Sequence, residues 1–131
     1  MSVYFYGCVT LDGYLAAKDH SLRWLHQTGT AEETGYEDFY AQMDVTVMGR
    51  RTFREVEKLG DPAKVYPTTE NYVFTHRPLD RDLVDRLIVQ VAPVLLGAGI
   101  PLFTQREALR RFRLEAVRQY GPFAELVYGR L

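Results

Sequence analysis

The chain has 131 residues, 47% of them hydrophobic and 25% charged, which suits one globular domain with a core of its own. Sixteen basic residues against 17 acidic give a net charge of -1, so no global field favours nucleic acid or a membrane surface. The lone Cys8 excludes an internal disulfide, and neither an apolar run of about 18 residues nor a basic-then-apolar leader is present, so a cytoplasmic location is expected.

Residues 3–10 (VYFYGCVT) are almost continuously apolar, β-branched or aromatic, the pattern of a strand covered on both faces. Asp12-Gly13 then signals a turn. A plain hairpin would account for it. So would a ligand site, since a buried strand ending in a turn that bears a carboxylate is where α/β proteins bind ligands. Residues 15–30 read as a polar loop with Leu22, Trp24 and Leu25 as apolar anchors. Trp24 either ties this loop to the core or walls a pocket. Tyr36, Phe39, Tyr40 and Met43 fall on one helical face, with rival capping boxes at 30–33 and 34–37 leaving the start open by about one turn.

The most informative stretch is 44–53 (DVTVMGRRTF). Val45, Val47 and Met48 make a short buried strand, and Gly49 permits a tight turn and close approach of a ligand. Thr52 and Glu55 have capping-box spacing, which predicts Thr52 as N-cap of a helix running from about Phe53 to Leu59 and ending at Gly60-Asp61-Pro62. A helix N-terminus with unpaired N–H groups beside Arg50 and Arg51 is a plausible phosphate site.

Residues 71–76 form a third strand, ended by Arg77-Pro78. Residues 87–96 form a fourth, with a bulge or bare edge at Pro93. The loop 97–101 contains a G-x-G that lacks the third glycine and the following helix of a dinucleotide fingerprint, and it is rejected as one. Residues 104–111 suggest a helical turn, with Arg106, Arg110, Arg111 and Arg113 forming a solvated basic face. Residues 113–120 and 124–131 flank Gly121-Pro122-Phe123 as a terminal hairpin. Cys8 reads as a small core residue rather than a nucleophile.

Taken in order, several blocks resemble the dihydrofolate reductase superfamily. They are T-L-D-G-Y-L-A at 10–16, L-R-W-L at 22–25, V-M-G-R-R-T-F at 47–53, F-T-H-R-P at 74–78 and the run from Leu83 through A-P-V-L-L-G-A-G-I-P-L-F at 92–103. The closest group is the bacterial branch similar to the C-terminal reductase domain of the riboflavin-biosynthesis deaminase/reductase. The resemblance implies a single α/β domain over 1–131, a three-layer α/β/α sandwich with a mostly parallel sheet and an antiparallel C-terminal strand. It implies hydride transfer from NADPH to a small heterocyclic substrate of the pterin or riboflavin-pathway pyrimidine type.

By the same resemblance, Gly49, Arg50, Arg51 and Thr52 bind cofactor phosphates, and Thr75, His76 and Arg77 lie by the adenosine ribose and its 2′-phosphate. Thr10, Gly13 and Trp24 would adjoin the substrate, with Asp12 as the catalytic polar contact. A homodimer is the assembly the family points to; no metal, nucleic-acid or membrane partner is expected.

One departure stands out. Only ten residues, 77–86, separate the third strand from the fourth, too few for a parallel crossover with its helix. The family places there a central strand and a paired-glycine turn under the cofactor diphosphate. The chain thus lacks one central βα region after Pro78, through an omitted segment, direct closure of the flanking strands, or exchange with a partner chain. Without that turn, the competing expectation is a non-catalytic nucleotide- or partner-binding domain of the same fold.

Overall fold

A computed structural model describes residues 2–29, 34–59, 65–74, 84–103 and 109–131. The elements follow in the order β1 (Tyr4–Thr10), β2 (Tyr14–Ala16), α1 (Arg23–Thr28), α2 (Tyr36–Tyr40), β3 (Val45–Gly49), α3 (Arg50–Leu59), β4 (Glu70–Phe74), β5 (Arg86–Ala92), β6 (Ile100–Pro101), β7 (Phe112–Tyr120) and β8 (Phe123–Arg130). This is a mixed α/β chain rich in strand. It divides into two compact units, residues 1–35 with 83–131, and residues 36–82.

The first unit is built on a four-stranded sheet in the order β1-β5-β8-β7. β1 and β5 run parallel in unbroken register from Tyr4 opposite Arg86 to Thr10 opposite Ala92. β8 is antiparallel to both β5 and β7. Alternation along β5 explains the two sides of the core. Leu87 and Val89 join Val9, Val84 and Leu102 in one apolar cluster. Ala92, on the opposite face, joins Trp24 and Phe123 in a second. That second face also carries a buried polar row, in which the Gln90 amide donates to Glu125 at 3.2 Å and to the Tyr6 hydroxyl at 2.5 Å. Burial, the largest effect, pushes Tyr6 up to about 12.

The second unit holds a β3–α3–β4 crossover, with β3 and β4 parallel and Val45 opposite Glu70. Met48 and Val56 are buried on β3 and α3, whereas Val45, Val47 and Tyr72 share the other sheet face and are exposed. Behind them, Tyr40, Thr46, Thr69 and Asn71 are joined by hydroxyl and amide hydrogen bonds of 2.7–3.1 Å.

Several sequence expectations shift. β1 is less enclosed than predicted: only Val9 and Thr10 are buried and the other five residues are half-buried. β5 stops at Ala92 rather than Leu96, because Pro93 has no N–H to continue a ladder. The 15–30 loop contains α1 and the end of β2. α2 ends at Tyr40, after which Ala41, Gln42 and Met43 donate to Glu37, Phe39 and Tyr40 carbonyls in turns. α3 begins at Arg50, directly after Gly49, so Thr52 is the third helical residue and not the N-cap. A strand that feeds straight into a helix leaves no extended residue at 52 for a cap to occupy. Expectations placed at 30–33, 60–62, 75–78 and 104–108 lie outside the described residues. Cys8 is half-buried, and desolvation pushes its thiol up to about 11, which suits an inert packing residue.

Candidate functional site

β1 and β5 end side by side, at Thr10 and Ala92, and the chain leaves both in tight turns. After β1, Gly13 N–H donates to the Thr10 carbonyl at 3.0 Å, and Gly13 has φ +85°, a conformation that favours glycine. Thr10 is almost wholly buried. Its hydroxyl donates to Asp12 Oδ1 at 2.6 Å and accepts from the Tyr14 N–H at 3.0 Å. One buried hydroxyl thus fixes both the carboxylate and the backbone that leaves the turn.

The other side of the Asp12 carboxylate faces the segment after β5. Gly97 N–H donates to Oδ2 at 2.8 Å and Leu96 N–H to Oδ1 at 3.3 Å. Backbone bonds close the same seam: Leu11 N–H to the Val94 carbonyl at 2.8 Å and Leu102 N–H to the Gly13 carbonyl at 3.0 Å. Beyond it β2 and β6 pair antiparallel. Gly99 lies so close to β2 that a Cβ there would overlap the Ala16 carbonyl oxygen.

The Thr10 hydroxyl, opposed by desolvation and aided by the Gly97 and Leu96 amides, holds the Asp12 carboxyl below its usual range. An anion held in this way is a poor proton donor at neutral pH, and three protein donors already occupy its oxygens. Asp12 is placed to shape the loop and to lend it negative charge.

Trp24 meets the same loop from the other side. It is buried in α1 and packs with Ala92 and Phe123, with Cys8, Leu25, Val94 and Leu96 around them. Its indole Nε1 is buried and has no hydrogen-bond partner among the described residues. A buried donor left unpaired costs about 1–3 kcal/mol, so it calls for an explanation. An acceptor on a ligand would supply one.

The predicted residues therefore divide. Thr10, Asp12 and Trp24 converge on residues 92–97 within the first unit, whereas Gly13 is bonded to Thr10 and Leu102. Gly49, Arg50, Arg51 and Thr52 lie in the second unit, where β3 passes into α3, with Arg51 and Thr52 exposed. Thr75, His76 and Arg77 are outside the described residues. Sequence reasoning missed the Leu96 and Gly97 amides as the partners of Asp12. They are backbone N–H groups, which any residue but proline offers, so the sequence carried no signal for them. Among the described residues no group of His, Cys, Asp and Glu side chains could hold a metal ion, and no helix is long and apolar enough to cross a membrane.

No family model matches the chain. The uncharacterized protein YwjB of Bacillus subtilis (strain 168) is 29% identical over 167 residues, covering 95% of each chain. That span exceeds the 131 residues present here, so at least 36 positions of YwjB face a gap in this chain. A solved structure from Shewanella sp. PV-4, whose name ascribes it provisionally to riboflavin biosynthesis, superposes with a TM-score of 0.79 at 21% identity, covering 100% of this chain and 99% of that one. RibD of Acinetobacter baumannii superposes with a TM-score of 0.68 at 16% identity over 98% of this chain and 57% of its own. The fold is similar to that of RibD.

Proposed function

We propose that the protein is an NADPH-dependent reductase that transfers a hydride to a small heterocycle of the pterin or riboflavin-pathway pyrimidine type. The observation that carries this reading is the clamped pair of turns at the carboxyl ends of parallel β1 and β5, the position at which open α/β sheets bind ligands. The similarity to RibD and to the Shewanella protein supports the riboflavin-pathway class of substrate. The reading takes the whole chain as one three-layer domain, acting in the cytoplasm as a homodimer.

The chain's residues fit a dinucleotide in part. The Gly49–Arg50 junction offers the N-terminal N–H groups of a ten-residue helix with Arg51 exposed beside them, a donor set suited to a phosphate. Gly49, Arg50, Arg51 and Thr52 would hold cofactor phosphates, and Thr75, His76 and Arg77 the adenosine 2′-phosphate. When bound, NADPH supplies the hydride. In the first unit, Thr10 and Asp12 hold the 94–97 segment in one conformation, and Gly13 keeps the turn low enough for a ring to approach. The Trp24 N–H donates to a carbonyl or ring nitrogen of the substrate. Because Asp12 is held ionised, the proton that completes the reduction comes from water rather than from this carboxyl.

A second reading, a nucleotide- or partner-binding domain without catalysis, is favoured by one observation. Only 11 residues, 75–85, join β4 to β5, and at least 36 positions of YwjB face a gap. Thermal unfolding with NADPH, NADH and no ligand separates the readings. Ligand at a hundred times its dissociation constant adds about 2.7 kcal/mol of stability. A shift with NADPH together with its oxidation by a member of a pterin, pyrimidine and quinone panel supports the reductase. A shift with no oxidation across the panel selects the second reading.

A further inference from the structure

The four-stranded sheet of the first unit is covered unevenly on the face that carries Leu87 and Val89. Those two side chains are buried on β5. Tyr128 and Leu126, opposite them on β8, are half-buried. On β7, Leu114 and Val117 stand opposite Tyr128 and Leu126 and are 52% and 62% exposed. Phe112, at the end of the same row, is exposed as well. Cover thus stops halfway across the sheet, and among the described residues no strand pairs with the outer edge of β7.

The charges of this hairpin lie on the other face. Arg118 stands opposite the buried Glu125, 3.5 Å from its carboxylate. Arg113 stands opposite Gly129, and the Glu115 carboxylate lies over that glycine. A solvated antiparallel face ordinarily carries the polar side chains and hides the apolar ones. Here the apolar row is the one left open. A bulge sets the pattern. From Leu114, strict alternation would bring Ala116 and Arg118 onto the apolar face and turn Val117 away. The register shift between Leu114 and Ala116 moves the count by one, so Val117 stays on that face and Arg118 leaves it. Among the described residues of β7 and β8, only Arg130, opposite Phe112 at one end, puts a charge on the apolar face.

We propose that two copies of the chain pack against each other through this β7–β8 face, sheet on sheet about a two-fold axis. Such an axis sets the side chains near it against their own copies, so a self-associating face must be free of charge at its centre. Val117 and Leu126 meet that condition, with Arg130 well away at the end of the hairpin. A membrane surface would instead call for several cations around the apolar row, and this face offers one. Two strands of about nine residues present roughly 30 Å by 10 Å, or about 300 Å² per copy, against about 800 Å² per partner in a standard interface. The dimer is therefore reversible and concentration-dependent. This surface gives the homodimer of the functional reading its contact, and it does not rest on the cofactor or the reaction.

Sedimentation velocity of the full chain over a concentration series tests the proposal. The unsubstituted chain should pass from monomer to dimer as concentration rises. Val117→Glu sets two carboxylates against each other near the axis and should raise the dissociation constant at least tenfold. Val117 is exposed, so the variant should fold, which its melting curve at low concentration checks. Arg113→Gln, on the opposite face of the same strand, should leave the association unchanged. In a mixture of labelled and unlabelled chains, the methyl groups of Leu114, Val117 and Leu126 should show contacts between copies. A chain that stays monomeric at every concentration, whether or not it binds added anionic vesicles, would overturn the proposal. So would a dimer that lacks those contacts or that Val117→Glu leaves intact; either result would move the dimer contact elsewhere and leave the reductase reading untouched.

Discussion

Asp12 Oδ2 accepts the Gly97 N–H at 2.8 Å, across 85 positions of sequence. This bond joins the turn after the first strand to the turn after its parallel neighbour, and the candidate site is organised around it. The carboxylate is also the group through which acid should loosen the site. Its folded-state pKa lies below the unfolded value, so the clamp contributes stability above about pH 4 and loses it as pH falls through the folded value. The Leu96 and Gly97 amide resonances should move together as pH falls below 4. Asp12→Asn should abolish that transition and lower the melting temperature at pH 7. Resonances that titrate identically in the variant would place the acid sensitivity elsewhere.

The two glycines of this seam should respond differently to alanine. A Cβ at Gly13 meets no atom within 4 Å, so Gly13→Ala carries backbone strain alone, about 1–2 kcal/mol. At Gly99 the Cβ would meet the Ala16 carbonyl, which is backbone and cannot swing aside. Gly99→Ala should therefore cost more, on the order of 2–3 kcal/mol, and should open the β2–β6 pairing. Chemical denaturation of both variants gives the ranking directly.

Trp24→Phe separates packing from recognition. The substitution removes an unpartnered buried N–H while keeping a ring, so its stability cost should stay within about 1.5 kcal/mol. Trp24→Ala should cost about 3–5 kcal/mol. If the indole N–H serves the substrate, Trp24→Phe should lose reductase activity out of proportion to stability. Full activity in that variant would leave the tryptophan as packing only.

The buried row on the second face of the sheet predicts an alkaline limit. Tyr6 ionises at about 12 when folded and near 10 when unfolded, so its contribution is intact below pH 10 and fades between about 10 and 12. Gln90→Leu leaves Glu125 and Tyr6 without their shared donor and should destabilise by about 2–3 kcal/mol. Equilibrium unfolding at pH 7 and pH 11 checks both statements.

What the sequence made legible follows from where local signals agreed with tertiary demands. The apolar runs at the start of the chain and before Pro93, the strand ahead of Gly49 and the terminal hairpin all emerged, because periodicity and turn residues pointed the same way. α1 was hidden because Leu22, its N-cap, offers no side-chain cap and its six residues carry a single buried side chain, Trp24. Thr52 misled because its spacing to Glu55 fits a capping box, while the strand feeds directly into α3 one turn earlier. Asp12 was recognised as a site residue from its turn. Its partners could not be, since hydrogen bonds to the amides of residues 96 and 97 leave no trace in side-chain identity.

The central claim, that this chain grips NADPH for hydride transfer, is tested most directly by titrating the full chain with NADPH and NADH and following binding by calorimetry. The account predicts saturable NADPH binding, weaker NADH binding, and a loss of at least tenfold in NADPH affinity in Arg50→Ala. No saturable heat with either nucleotide, or an affinity unchanged in Arg50→Ala, would contradict it.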